Sequence, residues 1–187
     1  VAGVDCSDNE VNIKILLNGL VQSGDLTVKQ RNKLLVDMTE QVSELVLDDC
    51  YRQTHSLSIT ELSGASQLKE QTRFIHQLER TGKLDRGLEF IPSDDELAER
   101  LAKSKGLMRP ELSVLLAYSK MVLKDDFVCP EITENAFHDR LLIQAFPQQL
   151  RDNYITQMQQ HPLRAEIIAT KLANNICNDM GFNFVNR

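Results

Sequence analysis

Ser7 stands where the residue types look most like chemistry. It lies in the stretch Gly3-Val4-Asp5-Cys6-Ser7-Asp8-Asn9-Glu10, just before the apolar run that begins at Val11. Ser7 and Glu10 have the S-x-x-E spacing of a capping box, in which the hydroxyl accepts a backbone amide and the carboxylate reaches back to another. Asp5, Asp8 and Glu10 add three carboxylates. Such oxygens ligate hard cations, but at a helix start they also stabilise the helix dipole with no metal. The dipole role is the expectation, and no metal site is assigned.

The remaining candidates are dispersed. His55, His76, His138 and His161 never recur at a spacing of three or four, so no helix face presents two imidazoles. His138-Asp139 is a conceivable acid–base pair, with solvated helix residues as the plainer reading. His161 precedes Pro162 and falls in the turn before a helix. Cys6, Cys50, Cys129 and Cys177 lack the close pairing that zinc requires, and are expected to be reduced, mostly buried thiols of a cytoplasmic protein. Arg109 and Glu111 flank Pro110, where a buried arginine–carboxylate bond across a helix junction would fix orientation. Asn174, Asn175, Asn178, Asn183 and Asn186 include candidates for hydrogen bonds across an interface, against solvated amides. The eight glycines form neither G-x-G nor G-x-x-x-x-G-K-[ST]. A dinucleotide fold sets phosphate on the free amides of such a turn, so this chain by itself is expected to bind no nucleotide.

The elements that must position these residues read as helices. Leu34, Leu35, Met38, Val42, Leu45 and Val46 fit a period of 3.6 residues and not of two. The first helix is predicted from Asp8 to Val21, broken by Gly24. Thr27 opens a second through a T-x-x-Q box. Residues 51–81 predict one long helix or two, ending at Thr81-Gly82, and the following stretch to Asp95 reads as a loop. Ser93-Asp94-Asp95-Glu96 is another capping box, and Gly106 falls where a C-terminal cap belongs. Pro110 suits the first turn of a helix through Lys124. Thr133 is expected to open a helix ending before Pro147, another follows that proline, and the last runs from Pro162 to Gly181. The alternation in residues 181–186 is too short to argue for a strand. The class is all-α, a bundle of about eight to ten amphipathic helices.

The 187 residues suffice to bury a core. A net charge of −6 argues against nucleic acid and against an anionic membrane surface, and no apolar run is long enough to span a bilayer. The chain does not begin with methionine, so it is expected to be a piece of something longer.

Three stretches carry a resemblance: residues 2–18 (AGVDCSDNEVNIKILLN), 109–120 (RPELSVLLAYSK) and 161–185 (HPLRAEIIATKLANNICNDMGFNFV). In this order they resemble the C-terminal part of the large bacterial NAD-specific glutamate dehydrogenases, with Ala165 departing where a basic residue is expected. The resemblance implies oxidative deamination of L-glutamate to 2-oxoglutarate and ammonia, with NAD as the cofactor of the full-length enzyme. The catalytic lysine and acid–base carboxylate would lie upstream, so no catalytic or cofactor-binding residue is assigned here. It also implies that residues 1–24 end the catalytic region and 25–187 form a helical region, within which the loop-like stretch near 82–93 is the candidate subdomain break. The implied partners are the catalytic core of the same polypeptide and further copies of the enzyme. The smaller hexameric glutamate dehydrogenases have a G-V-x-x-S-x-x-E stretch that Gly3–Glu10 matches. By that likeness Val4 lines the substrate pocket and Ser7 hydrogen-bonds the far carboxylate of glutamate. The expectation is a fragment without catalysis of its own, with a packing, assembly or regulatory role. The alternatives are a free-standing helical interaction module and a region that binds an amino-acid effector.

Overall fold

Capping and periodicity set most of the helix limits. The computed structural model describes residues 2–181, with side chains from Cys6 onward. Among these residues every regular element is helical: α1 (Ala2–Ser23), α2 (Val28–Asp37), α3 (Thr39–Ser63), α4 (Leu68–Arg80), α5 (Asp94–Ala102), α6 (Arg109–Phe127), α7 (Pro130–Thr133), α8 (Asp139–Gln144), α9 (Gln148–Arg151), α10 (Ile155–Gln159) and α11 (Arg164–Met180). The all-α, multi-helix class is as read. Residues 182–187, which include the alternating stretch, Asn183 and Asn186, lie outside the described residues.

Two capping boxes form as spaced. The Thr27 hydroxyl accepts the Gln30 amide at 3.3 Å, and the Gln30 side chain accepts the Thr27 amide at 2.9 Å. Ser93 and Glu96 repeat this at 3.3 and 2.8 Å, and those Ser93 bonds hold the Glu96 carboxyl below its usual range. Each cap contributes about 1 kcal/mol.

Four limits differ from the sequence reading, and a fifth takes one of the two forms it left open. The helix of Ser7 starts at Ala2, so Ser7 lies inside α1 and does not cap it; nothing before it except Gly3 opposes helix, and S-x-x-E also fits a helix interior. Met38 interrupts the second helix, yet its amide still bonds the Leu34 carbonyl and its carbonyl the Val42 amide, both at 3.0 Å, so this is a joint rather than a stop. Residues 51–81 take the two-helix form, dividing at Gly64, which opens a 3-10 turn to Gln67 with φ +52°. The left-handed residue ending α5 is Ser104, not Gly106. Gly106 is small for another reason: a Cβ there would stand 2.7 Å from the Gly64 carbonyl carbon. Thr133 ends α7 rather than opening a helix, and Asn135 caps the 3-10 turn Ala136–His138 instead.

The described chain forms two units. The first comprises Val1–Arg52 and Asp126–Leu172, the second Gln53–Asp125 and Ala173–Arg187. In the first, Ile13, Leu16, Leu17 and Leu20 form an apolar stripe at helical spacing on α1. They share a core with Met38, Leu142, Phe146, Leu150, Met158, Ile167 and Ile168. Burying each such side chain contributes roughly 1.5–3 kcal/mol. Lys171 reaches Asp49 at 2.9 Å across this unit. In the second, α4 buries Leu68, Phe74, Ile75 and Leu78, and α6 buries Leu112, Leu115, Leu116 and Leu123. No helix among the described residues is long and apolar enough to cross a membrane.

Candidate functional site

Two places on α1 merit attention. Ser7 is exposed in its second turn. Val4 is on the first turn, and its side chain, like that of Asp5, lies outside the described residues. Because α1 begins at Ala2, the free amides of its N-terminus precede Ser7, and the S-x-x-E box does not form. Glu10 instead pairs with Lys14 one turn on. Among the described residues, no three His, Cys, Asp or Glu side chains converge to hold a metal.

The second place is a cleft of about 350 Å³, in the first unit, between the end of α1 and the turn from α10 to α11. Ile15, Leu16 and Leu20 form its apolar side, Gly19 leaves space, and Ser23, Asp25, Gln157 and Gln160 add polar groups. The Ser23 hydroxyl donates to Asp25 at 2.7 Å.

His161 and Pro162 close the cleft. The His161 ring is buried. Its Nδ1 accepts the Leu163 amide at 3.0 Å, which leaves the proton on Nε2, and Nε2 donates to the Asn12 carbonyl at 3.1 Å. The Phe146 ring lies 5.7 Å away. Burial lowers the pKa of this imidazole from 6.5. Both nitrogens are therefore engaged in positioning the turn before α11.

The structure does not join His138 to Asp139 as an acid–base pair. His138 Nδ1 bonds the Ile132 carbonyl at 2.7 Å. Asp139 binds the Arg164 guanidinium and accepts from Gln159 at 2.9 Å. His76 meets Asp94 at 2.9 Å, beside Arg86 at 2.8 Å; the Arg86 bond, then that of His76, holds the Asp94 carboxyl below its usual range.

A buried arginine–carboxylate bond does exist near Pro110, but Arg109 is not its arginine. Arg100, at the end of α5, takes both oxygens of Glu111 on α6 at 2.7 and 2.9 Å. Arg109 turns to Ser58, Glu61 and the Thr54 carbonyl on α3. The sequence signal for Arg100 was a basic residue in a helix's last turn, which by itself names no partner. Of the cysteines, only Cys177 is fully buried, and Cys6 is exposed, against the expectation of mostly buried thiols. Burial raises the Cys177 pKa, while a contact of 3.4 Å with Ser119 acts the other way.

Residues 104–187 match the family described as glutamate dehydrogenase, C-terminal. Residues 1–60 match the one described as bacterial NAD-glutamate dehydrogenase, catalytic domain. The chain is 49% identical over 185 residues to NAD-specific glutamate dehydrogenases of Halomonas elongata and Pseudomonas aeruginosa, covering 99% of this chain but only 12% and 11% of theirs. It is 36% identical over 186 residues to that of Mycobacterium tuberculosis, of which it spans 12%. The chain is thus a helical segment homologous to about an eighth of the length of bacterial NAD-specific glutamate dehydrogenases.

Proposed function

We propose that this chain is the C-terminal helical part of an NAD-dependent glutamate dehydrogenase, which converts L-glutamate and NAD to 2-oxoglutarate, ammonia and NADH. In this reading α1 reaches the substrate pocket, with Val4 on its wall and the Ser7 hydroxyl donating to the far carboxylate of glutamate. The observation that carries it is the exposure of Ser7 on a helix within the segment that matches a catalytic domain. With α1 running through Ser7, the hydroxyl itself makes the contact and the helix terminus adds little, since dipole effects fade beyond the first turn. The remaining helices pack against the catalytic core of the same polypeptide and support assembly into a cytoplasmic homo-oligomer.

The nicotinamide cofactor would supply the hydride acceptor of the whole enzyme. The residues present do not fit it: among the described residues no strand leads into a glycine-rich turn, which is what the phosphates need. Alone, the chain therefore catalyses no turnover. Incubating it with glutamate and NAD tests this, with a flat absorbance trace expected. Sustained NADH formation would place a complete active site within these residues and overturn the reading.

A further inference from the structure

The cleft beside His161 is not needed for the reaction above. Ile15, its first residue, lies about 12 Å along α1 from Ser7. Its volume of about 350 Å³ falls within the range of small-molecule sites. The charge on its described lining has one sign. Among the described residues, Asp25 is its only charged side chain, and no Lys or Arg lines it. α1 presents its negative C-terminal end here, with no basic residue in its last turn. α10 ends at the same cleft and also has none. The positive start of α11 carries Glu166 in its first turn, beside Arg164, whose charge is paired with Asp139. Arg31 reaches α1 only at Asn18 and is also bonded to Asn32. His161 brings no positive charge, since its Nδ1 accepts a hydrogen bond.

Gly19 is the second observation. A glycine inside a helix costs about 0.5–1 kcal/mol relative to alanine. Close packing does not explain this one, because a Cβ built on Gly19 meets nothing within 4 Å. It would point into free space at a residue that lines the cleft. The glycine thus keeps open a space that helix stability alone would fill.

We propose that this cleft binds a small organic cation, with an ammonium head at Asp25 and the C-terminal end of α1, and an apolar body against Leu16, Leu20 and Pro162. Carboxylates and phosphates are disfavoured, so neither glutamate nor a dinucleotide is the ligand. The test uses three probes of one shape: phenethylammonium, 2-phenylethanol and phenylacetate, titrated into the chain and followed by backbone amide NMR. Phenethylammonium should shift the amides of Gly19, Ser23 and Asp25 saturably at millimolar concentration. The alcohol should bind several-fold more weakly, and phenylacetate more weakly still. Gly19→Leu should abolish the shifts, and Asp25→Asn should weaken binding about fivefold. Asp25 is exposed, so its variant carries the test even where Gly19→Leu perturbs the helix. Absence of a saturable shift, equal binding of phenylacetate or the alcohol, or unchanged affinity in Asp25→Asn would overturn the proposal.

Discussion

Arg100 grips both carboxylate oxygens of Glu111, at 2.7 and 2.9 Å, and so ties the end of α5 to the start of α6. Glu111 is buried, and its Oε2 also accepts the Met108 amide at 2.6 Å. The bond to Glu111 raises the pKa of Arg100 above its usual value, against the effect of burial. Removing one partner strands the other charge in a poorly solvated place. Arg100→Ala should therefore cost about 3 kcal/mol, measured by urea denaturation. Arg100→Lys should recover little of it, since an ammonium cannot span both oxygens. A loss below about 0.5 kcal/mol would mean that water solvates Glu111 once Arg100 is gone.

The buried His161 predicts a pH dependence. Its folded pKa lies below 6.5 because burial penalises the charged ring. The unfolded chain then binds this proton more readily than the folded one. The stability it contributes is present above pH 6.5 and is lost as pH falls toward the folded-state value. The slope from this group is at most about 1.4 kcal/mol per pH unit. Urea midpoints should fall from about pH 7 to about pH 5, and His161→Gln should lower stability overall while flattening that trend.

Gly106 and Gly64 approach so closely that a Cβ on Gly106 would meet the Gly64 carbonyl carbon at 2.7 Å. Backbone cannot swing aside as a side-chain end can. Gly106→Ala should therefore destabilise by about 1–3 kcal/mol, read as a lower melting temperature. Gly19→Ala, with nothing near its Cβ, should raise it.

Phe90 adopts φ +54° and is 88% exposed. It ends a single helical turn in which the Glu89 and Ile91 amides bond the Asp85 and Arg86 carbonyls, both at 3.0 Å. A bulky residue in this conformation costs about 1–2 kcal/mol, and its exposed ring regains little. Phe90→Gly should raise stability by up to about 1 kcal/mol, checked by chemical denaturation.

Ser7 separates the two roles proposed for it. Because it lies inside α1, Ser7→Ala should leave the melting temperature of this chain unchanged or slightly raised. In the full-length enzyme the same change should raise the glutamate KM or lower kcat/KM about tenfold, the effect of losing one hydrogen bond to a charged group. Unchanged kinetics would remove Ser7 from the substrate pocket.

The sequence by itself determined the all-α class, the Thr27 and Ser93 caps and the end of α4 at Gly82, because each depends on neighbours within one helical turn. It also carried the likeness of residues 2–18, 109–120 and 161–185 to the glutamate dehydrogenases. Tertiary structure decided the rest. The S-x-x-E spacing of Ser7 and Glu10 is satisfied equally by a cap and by a helix interior, and only the preceding turn distinguishes them. Arg100 and Glu111 are eleven residues apart with Arg109 nearer in sequence, so the choice of arginine depended on how α5 approaches α6. Gly106 read as a cap, and its actual neighbour is Gly64, forty-two residues earlier. The cleft draws on Gly19 and Gln157, which no local pattern links. Hydrogen bonds within a turn are written in short spacings, whereas packing between distant segments depends on shape and burial that only the folded chain possesses.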